Sequence, residues 1–416
     1  MLVITNDIQI ASTGFFSIFI LLYFSQDTLL FGTNKNNAMF WLKNIVLVFL
    51  CLQLLYTSIK KRTIIQKKPL IVFIFISLFA LLTLILSGDE PTKYFFEIVT
   101  FFTALLLSAQ LDFHKFVEHY VKTILCISVF SLVVSAIYLF AYPMLSIFPI
   151  IENKSGHKFY NLFFSLAMTT TPYVPYRNYG IFREPGVYAI FLTIALIFEL
   201  FGDKRIRIKR ISIFISTILS TLSSAGYILL ILVMGAFLLA KQNGVRYFQF
   251  KFLITIFLLL SGLLLLFENS IYNLVFDKFY SPNSSANSRV GSILVNLHIF
   301  FDNIKHLFFG AGYGYVERNF SRISIICDII AGDNTNTILK MLAVHGIWFT
   351  SVCGVMIYKF WKSFSRNKLL IVTLFFLFVV ALSNEDIIFN LILYMLVFYG
   401  AASNNVRSAF ACELQT

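Results

Sequence analysis

Twelve stretches of roughly 17–25 predominantly apolar residues recur along the chain, each about the length a helix needs to cross a hydrocarbon layer of about 30 Å. They centre near Phe19, Val48, Leu78, Thr103, Leu132, Thr193, Thr217, Val233, Leu259, Phe349, Leu377 and Leu396. A backbone facing lipid finds no water to bond, so each stretch is expected to be helical. The expected fold is all-α: a polytopic integral membrane protein with one membrane domain over residues 1–416. Composition agrees, because 58% of the 416 residues are hydrophobic, 13% are charged and 49 are Phe, which lies outside the soluble globular range. Residues 9–31 lack both a preceding basic region and a following small-residue cleavage site. They read as a retained span rather than a signal peptide.

Loop charges set the expected orientation. Lys60, Lys61, Arg62, Lys67 and Lys68 follow the second stretch, and Lys204, Arg205, Arg207, Lys209 and Arg210 follow the sixth. Lys241, Arg246 and Lys251 follow the eighth, and Lys359, Lys362, Arg366 and Lys368 the tenth. All are even-numbered connections, so the positive-inside rule puts them and both termini in the cytoplasm. The acidic turns Gly88-Asp89-Glu90-Pro91 and Asn384-Glu385-Asp386 fall outside. The net charge of +13 is then a topology signal directed at anionic lipid, and no nucleic-acid partner is expected. Cys51, Cys126 and Cys353 lie in apolar stretches, Cys412 in the tail and only Cys327 in an outward loop. No disulfide framework, metal site or cofactor is expected from them.

The same parity puts two long segments outside, 143–184 and 269–333, and loops of this length are commonly functional. Each carries arginine: Arg177 and Arg183 in the first, Arg289, Arg318 and Arg322 in the second. From Arg289 to Lys305 the residues Ile293, Leu294, Leu297, Phe300, Phe301 and Ile304 recur at helical spacing, predicting an amphipathic helix on the membrane face. Asn287 or Ser288 would cap it and leave Arg289 in the first turn beside free N–H donors, a setting that favours phosphate.

Four segments together resemble an ordered signature. They are Arg177-Asn-Tyr-Gly180-Ile-Phe182-Arg183-Glu184-Pro185-Gly186-Val-Tyr-Ala189; Thr221-Leu-Ser-Ser-Ala-Gly226; Arg289 with His306-Leu-Phe-Phe-Gly310-Ala-Gly312-Tyr-Gly314; and Asn336-Thr-Ile-Leu339-Lys-Met-Leu342-Ala-Val-His-Gly346-Ile347. Over about residues 170–350 they look like the O-antigen polymerase and ligase superfamily. The resemblance implies glycan transfer on the outer (periplasmic) face of the plasma (inner) membrane of a bacterium. A polymerase of that superfamily moves a growing glycan from polyprenyl diphosphate to the next lipid-linked repeat unit, with a flippase and a chain-length regulator as working partners. A ligase moves finished glycan to lipid A-core and typically has His directly before the Asn matching Asn336. Thr335 stands there, which favours the polymerase.

The chemistry gives the arginines work independently of the family. Negative charge develops on the departing diphosphate, and preorganised cations are the largest help a protein can give it. Arginine binds phosphate oxygens through a planar fork. Arg177 and Arg289 are therefore the expected diphosphate grip, with Arg183, Arg318 and Arg322 as secondary ligands. The alternative is that these arginines only mark the headgroup layer. Glu184 is the first choice for the base that takes the acceptor proton, against a plain salt bridge to Arg183 or Arg177. His306 and Asn336 are assigned to substrate binding, His306 having a local helix-end contact as its alternative. Asp328 and Asp333 are placed to meet acceptor sugar.

Other features are weighed and set aside. Gly310-Ala-Gly312-Tyr-Gly314 follows no strand and lacks the spacing of a nucleotide loop. Glu97 and Lys43 either line an aqueous path or snorkel from span ends, and His157, His298 and His345 lack supporting neighbours. Tyr173, Tyr176 and Tyr179 either stack on sugar or form an interfacial belt. A twelve-span lipid-linked oligosaccharide flippase or other transporter is the alternative of a different class, but the sequence shows no internal repeat of the kind such proteins often carry.

Overall fold

The computed structural model describes residues 15–169, 176–202, 207–239, 285–326, 334–364 and 367–402. The stretch centred on Leu259, the basic cluster Lys241, Arg246 and Lys251, and Tyr173, Cys327, Asp328, Asp333 and Cys412 lie outside them.

The other eleven expected centres all fall in helices. These are α1 (15–23), α2 (Asn37–Lys60), α3 (Lys67–Ser87), α4 (Pro91–Gln110), α5 (Phe113–Phe140), α6 (Pro185–Phe201), α7 (Ile208–Ser220) and α8 (Ser224–Leu239). Three more centres fall in α12 (Thr337–Phe364), α13 (Lys368–Asn384) and α14 (Leu391–Ala401), while α9 (Ser285–Phe301), α10 (Ile304–Phe309) and α11 (Tyr313–Ile326) lie between. Five of them, α2, α3, α4, α5 and α12, are long and apolar enough to cross a membrane. At 13 residues, α7 measures about 20 Å, short of the hydrocarbon thickness.

Local chemistry explains the boundaries. Asn36, Asn367 and Asn390 accept backbone N–H groups at the starts of α2, α13 and α14. Gly88, at φ 66, ends α3, and Pro91 opens α4. On α2 the residues Ile45, Phe49, Leu52, Tyr56 and Ile59 are each about 60% exposed or more and repeat every three or four positions. In water such a stripe is a liability, whereas against lipid it is the expected exterior. By contrast, α6 is buried all round from Pro185 to Leu200, as suits a helix apolar on every face.

One part of the segment 143–184, expected outside, departs from the all-α expectation. Ile150–Glu152 (β1), Lys158–Asn161 (β2) and Leu166–Met168 (β3) form an antiparallel sheet in the order β1-β2-β3, with Ile150 opposite Tyr160 and Tyr160 opposite Ala167. Alternation puts Phe159 on one face with Leu29 and Leu166, and Tyr160 on the other, against the cluster of Val134, Leu145 and Ala167. Strands of three or four residues are too short to announce themselves by periodicity.

The chain divides into two compact units. One takes in the described residues of Met1–Leu70, Val99–Leu230 and Phe389–Thr416, and the other those of Ile71–Ile98 and Ile231–Ile388.

Candidate functional site

In the first unit the segment leading into α6 is tied to the turn between α7 and α8, so two signature segments meet. Arg177 donates from Nε to the carbonyl of Thr221 at 3.2 Å, just past the last residue of α7, where a cation suits the helix dipole. Its guanidinium forms no other hydrogen bond among the described residues. Asn178, fully buried, donates from Nδ2 to Ser131 and Ser220 at 3.0 and 2.9 Å, and its N–H bonds the Ser220 carbonyl at 3.0 Å. Gly180 takes φ 53, and a Cβ there would stand 2.8 Å from the Tyr188 ring. A Cβ on Gly226 would likewise meet Ala189 at 2.8 Å. These residues are fixed by backbone approach before any ligand is considered.

Glu184 is exposed at the N-cap of α6 and makes no capping hydrogen bond. The half-buried Arg183 donates its backbone N–H to the carbonyl of Asp27 at 2.9 Å, and Asn390 hydrogen-bonds the buried Asp27 carboxylate. Burial pushes the Tyr179 hydroxyl upward; Arg177 opposes this shift and Glu184 adds to it, so both charged groups lie within electrostatic reach of one phenol. Tyr176 stacks on Tyr138 at 4.1 Å and its hydroxyl meets Ser135 at 3.1 Å. Burial pushes that hydroxyl up to about 12. Tyr176 and Tyr179 pack mainly against protein rather than forming an open aromatic belt.

In the second unit Arg289 and Asn336 are drawn to the same segment, Ser383–Asp386, where α13 ends. Arg289 reaches Asn384 Oδ1 and Glu385 Oε1 with its two terminal nitrogens, both at 3.4 Å, and stays 27% exposed. Asn336 caps α12 by accepting the Leu339 N–H at 2.9 Å, and donates to the Ser383 carbonyl at 3.2 Å. Thr337 bonds the Glu385 carbonyl and accepts the Ile387 N–H at 2.9 Å. Lys340 pairs with Asp386 at 2.6 Å, and Asn334 bridges Ser292 and Asn296 at 3.2 and 3.0 Å.

The expected setting of Arg289 is corrected here. The helix begins at Ser285, so Asn287 and Ser288 lie inside it and Arg289 stands one turn in, past the free N–H donors. Its predicted apolar face is split: Leu294 and Phe301 are 45% and 66% exposed, whereas Phe300 is buried with Ser292, Val295, Asn296 and Ile299. The cation is real, but the helix-terminus contribution to anion binding is absent.

His306 takes the helix-end alternative, with Nδ1 3.3 Å from the Ile299 carbonyl and 3.7 Å from Asp302. Arg318 and Arg322 are exposed on α11. The glycine segment packs backbone to backbone on α12: Ala311 N–H bonds the Ala343 carbonyl at 2.8 Å, and Gly346 breaks that helix with φ 77. His345 does have neighbours, Glu97 and Tyr313. Lys340, Glu385, Asp386 and Asp27 were not singled out by sequence; a lysine amid apolar residues was the one available signal for any of them.

No family model matches the chain, and no curated protein is significantly similar to it.

Proposed function

We propose that this chain is a surface-polysaccharide polymerase of the O-antigen type, acting from the outer face of a bacterial inner membrane. In this reading twelve spans place both termini in the cytoplasm and both arginine-bearing segments outside. The acceptor hydroxyl oxygen attacks the anomeric carbon of the donor glycan. The bond from that carbon to the diphosphate oxygen breaks, its electron pair leaves with the polyprenyl diphosphate, and the hydroxyl proton passes to a base. Arg289 and Arg177 stabilise the departing diphosphate, Arg183, Arg318 and Arg322 hold outlying phosphate or sugar oxygens, and Glu184 is the base. His306 keeps a positioning role at the joint after α9.

The observation that carries the reading is the convergence of Arg289 and Asn336, from separate signature segments, on the C-terminal end of α13. Arg289 is partly exposed and held by two contacts at the long end of hydrogen bonding, so a diphosphate with more charge and a matching fork geometry can displace Asn384 and Glu385. Glu184 supports it too, being an exposed carboxylate in reach of the same phenol as Arg177.

Purified protein in liposomes, given only a polyprenyl-diphosphate repeat unit, is expected to make a ladder of lipid-linked oligomers without nucleotide or added metal. The donor bond is already activated, so positioning and charge stabilisation suffice. A product formed only after lipid A-core is added would identify a ligase, and translocation without elongation a flippase. Either result overturns the reading.

A further inference from the structure

Glu97 of α4, Tyr313 at the start of α11 and His345 of α12 meet in the interior of the second unit, all essentially without solvent exposure. Glu97 Oε1 lies 2.9 Å from His345 Nε2 and 2.9 Å from the Tyr313 hydroxyl, and that hydroxyl is 3.2 Å from Nε2. Phe349 stacks on the imidazole at 4.3 Å and Tyr94 meets its edge at 6.2 Å. Glu97 Oε2 and His345 Nδ1 are buried and have no hydrogen-bond partner among the described residues.

Counting hydrogens decides what is missing. If His345 carries its hydrogen on Nε2, that N–H and the Tyr313 hydroxyl both donate to Oε1. Nδ1 and Oε2 are then two buried acceptors without a donor, beside a carboxylate charge in an apolar interior. If the hydrogen is on Nδ1 instead, Nε2 and Oε1 face each other at 2.9 Å as two acceptors, which repel. In either tautomer the cluster carries the full carboxylate charge in an apolar interior, and one added proton cancels it. An ionisable group inside a membrane domain is retained for a purpose more often than not.

We propose that Glu97, His345 and Tyr313 form a site that binds a single proton. The proton lies on Oε2 or Nδ1, or between Nε2 and Oε1, and in each position it cancels the cluster's net charge. The other titratable groups facing the site are Tyr94 on α4, Cys353 on α12 and, through Tyr94, Asp89 on the turn before α4. The Tyr94 hydroxyl donates to Asp89 Oδ2 at 3.0 Å and accepts the Tyr313 N–H at 3.2 Å. The site also sits on a joint, because His345 directly precedes the Gly346 break and Tyr313 follows Gly312, whose N–H bonds the Val344 carbonyl at 3.1 Å. Proton occupancy is thereby read by the seam between the glycine segment and α12.

The test measures protonation in the purified full-length chain in lipid nanodiscs at neutral pH, with no glycan substrate, so its outcome is independent of the proposed reaction. Infrared spectroscopy reports a protonated carboxyl, and nitrogen NMR of labelled histidine reports a doubly protonated imidazole. One of these signals is expected in the wild type. The carboxyl band must vanish in Glu97→Gln, or the imidazolium resonance in His345→Gln. Tyr313→Phe removes one donor and leaves both acids, so it must shift that signal without abolishing it, and it serves where the other variants do not fold. An ionised Glu97 beside a neutral His345 in the wild type overturns the proposal. So does a signal that responds to added sodium or zinc but not to removal of Glu97 or His345.

Discussion

Gly312 donates its backbone N–H to the carbonyl of Val344 at 3.1 Å, and that same carbonyl stands where a Cβ on Gly310 would have to go. Gly310 and Gly346 hold φ 79 and 77, and the Phe308 carbonyl blocks a Cβ on Gly346 in the same way. The two signature segments are thus mutually specified by backbone contact. Gly310→Ala and Gly346→Ala are each expected to lose at least about 2 kcal/mol, from left-handed strain and overpacking together. Gly235→Ala, with open space around it, should change stability by no more than about 1 kcal/mol. Thermal unfolding in detergent checks the contrast, and equal effects at Gly310 and Gly235 would remove the backbone argument.

Arg289→Lys keeps the charge but loses the fork that now spans Asn384 and Glu385. The expected result is a loss of about a hundredfold in polymer formation, on the order of 3 kcal/mol, at normal membrane abundance. Arg289→Ala should lose more. Full yield and chain length in Arg289→Lys would leave only a diffuse electrostatic role for this residue.

For Arg177 a structural role and a catalytic one can be separated. Removing the side chain takes away the bond to the Thr221 carbonyl and a cation at the end of α7, a loss of about 1 kcal/mol in stability. If Arg177 also grips diphosphate, Arg177→Ala must reduce transfer by far more than this, measured as turnover per folded protein. A turnover loss that disappears after correction for folded fraction assigns it to the helix end alone.

Much of this was legible in sequence, and the rest was hidden for identifiable reasons. The long apolar stretches of α2 to α5 could be read directly, because lipid leaves a backbone few choices. The face of α9 could not. Leu294 and Phe301 point outward while Val295, Ile299 and Phe300 are buried together with Ser292 and Asn296, so apolar spacing alone does not tell the buried side from the exposed one. Arg289 drew notice as an arginine in a segment expected outside, and Asn336 only through its place in the family-like segment. Their partners Ser383, Asn384 and Glu385 did not, since these lie far along the chain from both and read as the edge of an ordinary acidic turn. Glu97 and His345 were each noticed alone, but nothing in a single sequence shows that residues 248 positions apart touch.

Tyr176 gives a prediction in pH. Its hydroxyl ionises near 12 in the folded protein against 10.0 for a free tyrosine, because burial beside Tyr138 disfavours the phenolate. The folded-state value is raised, so the associated stability is fully present below about pH 10 and is lost as pH climbs toward 12. Two pH units correspond to a loss of roughly 2–3 kcal/mol by the upper end. In Tyr176→Phe the alkaline limb of the unfolding curve should flatten by that amount, and an unchanged limb would place the titration elsewhere.

The orientation of the chain can be decided by thiol labelling. Ser155 lies exposed in the turn between β1 and β2, within the segment expected outside, and Lys209 lies exposed near the start of α7, in the basic connection expected inside. With the native cysteines replaced, Ser155→Cys should react with a membrane-impermeant reagent in intact cells, and Lys209→Cys only after permeabilisation. The argument rests on the even-numbered basic connections, which anionic lipid and the membrane potential hold on the cytoplasmic side. Ser155 tests the parity through five spans and Lys209 through six, so a membrane-crossing miscount between them would label both or neither. Labelling of Lys209→Cys alone in intact cells would invert the topology, and the arginine segments would then face the cytoplasm, where a periplasmic polymerase has no substrate.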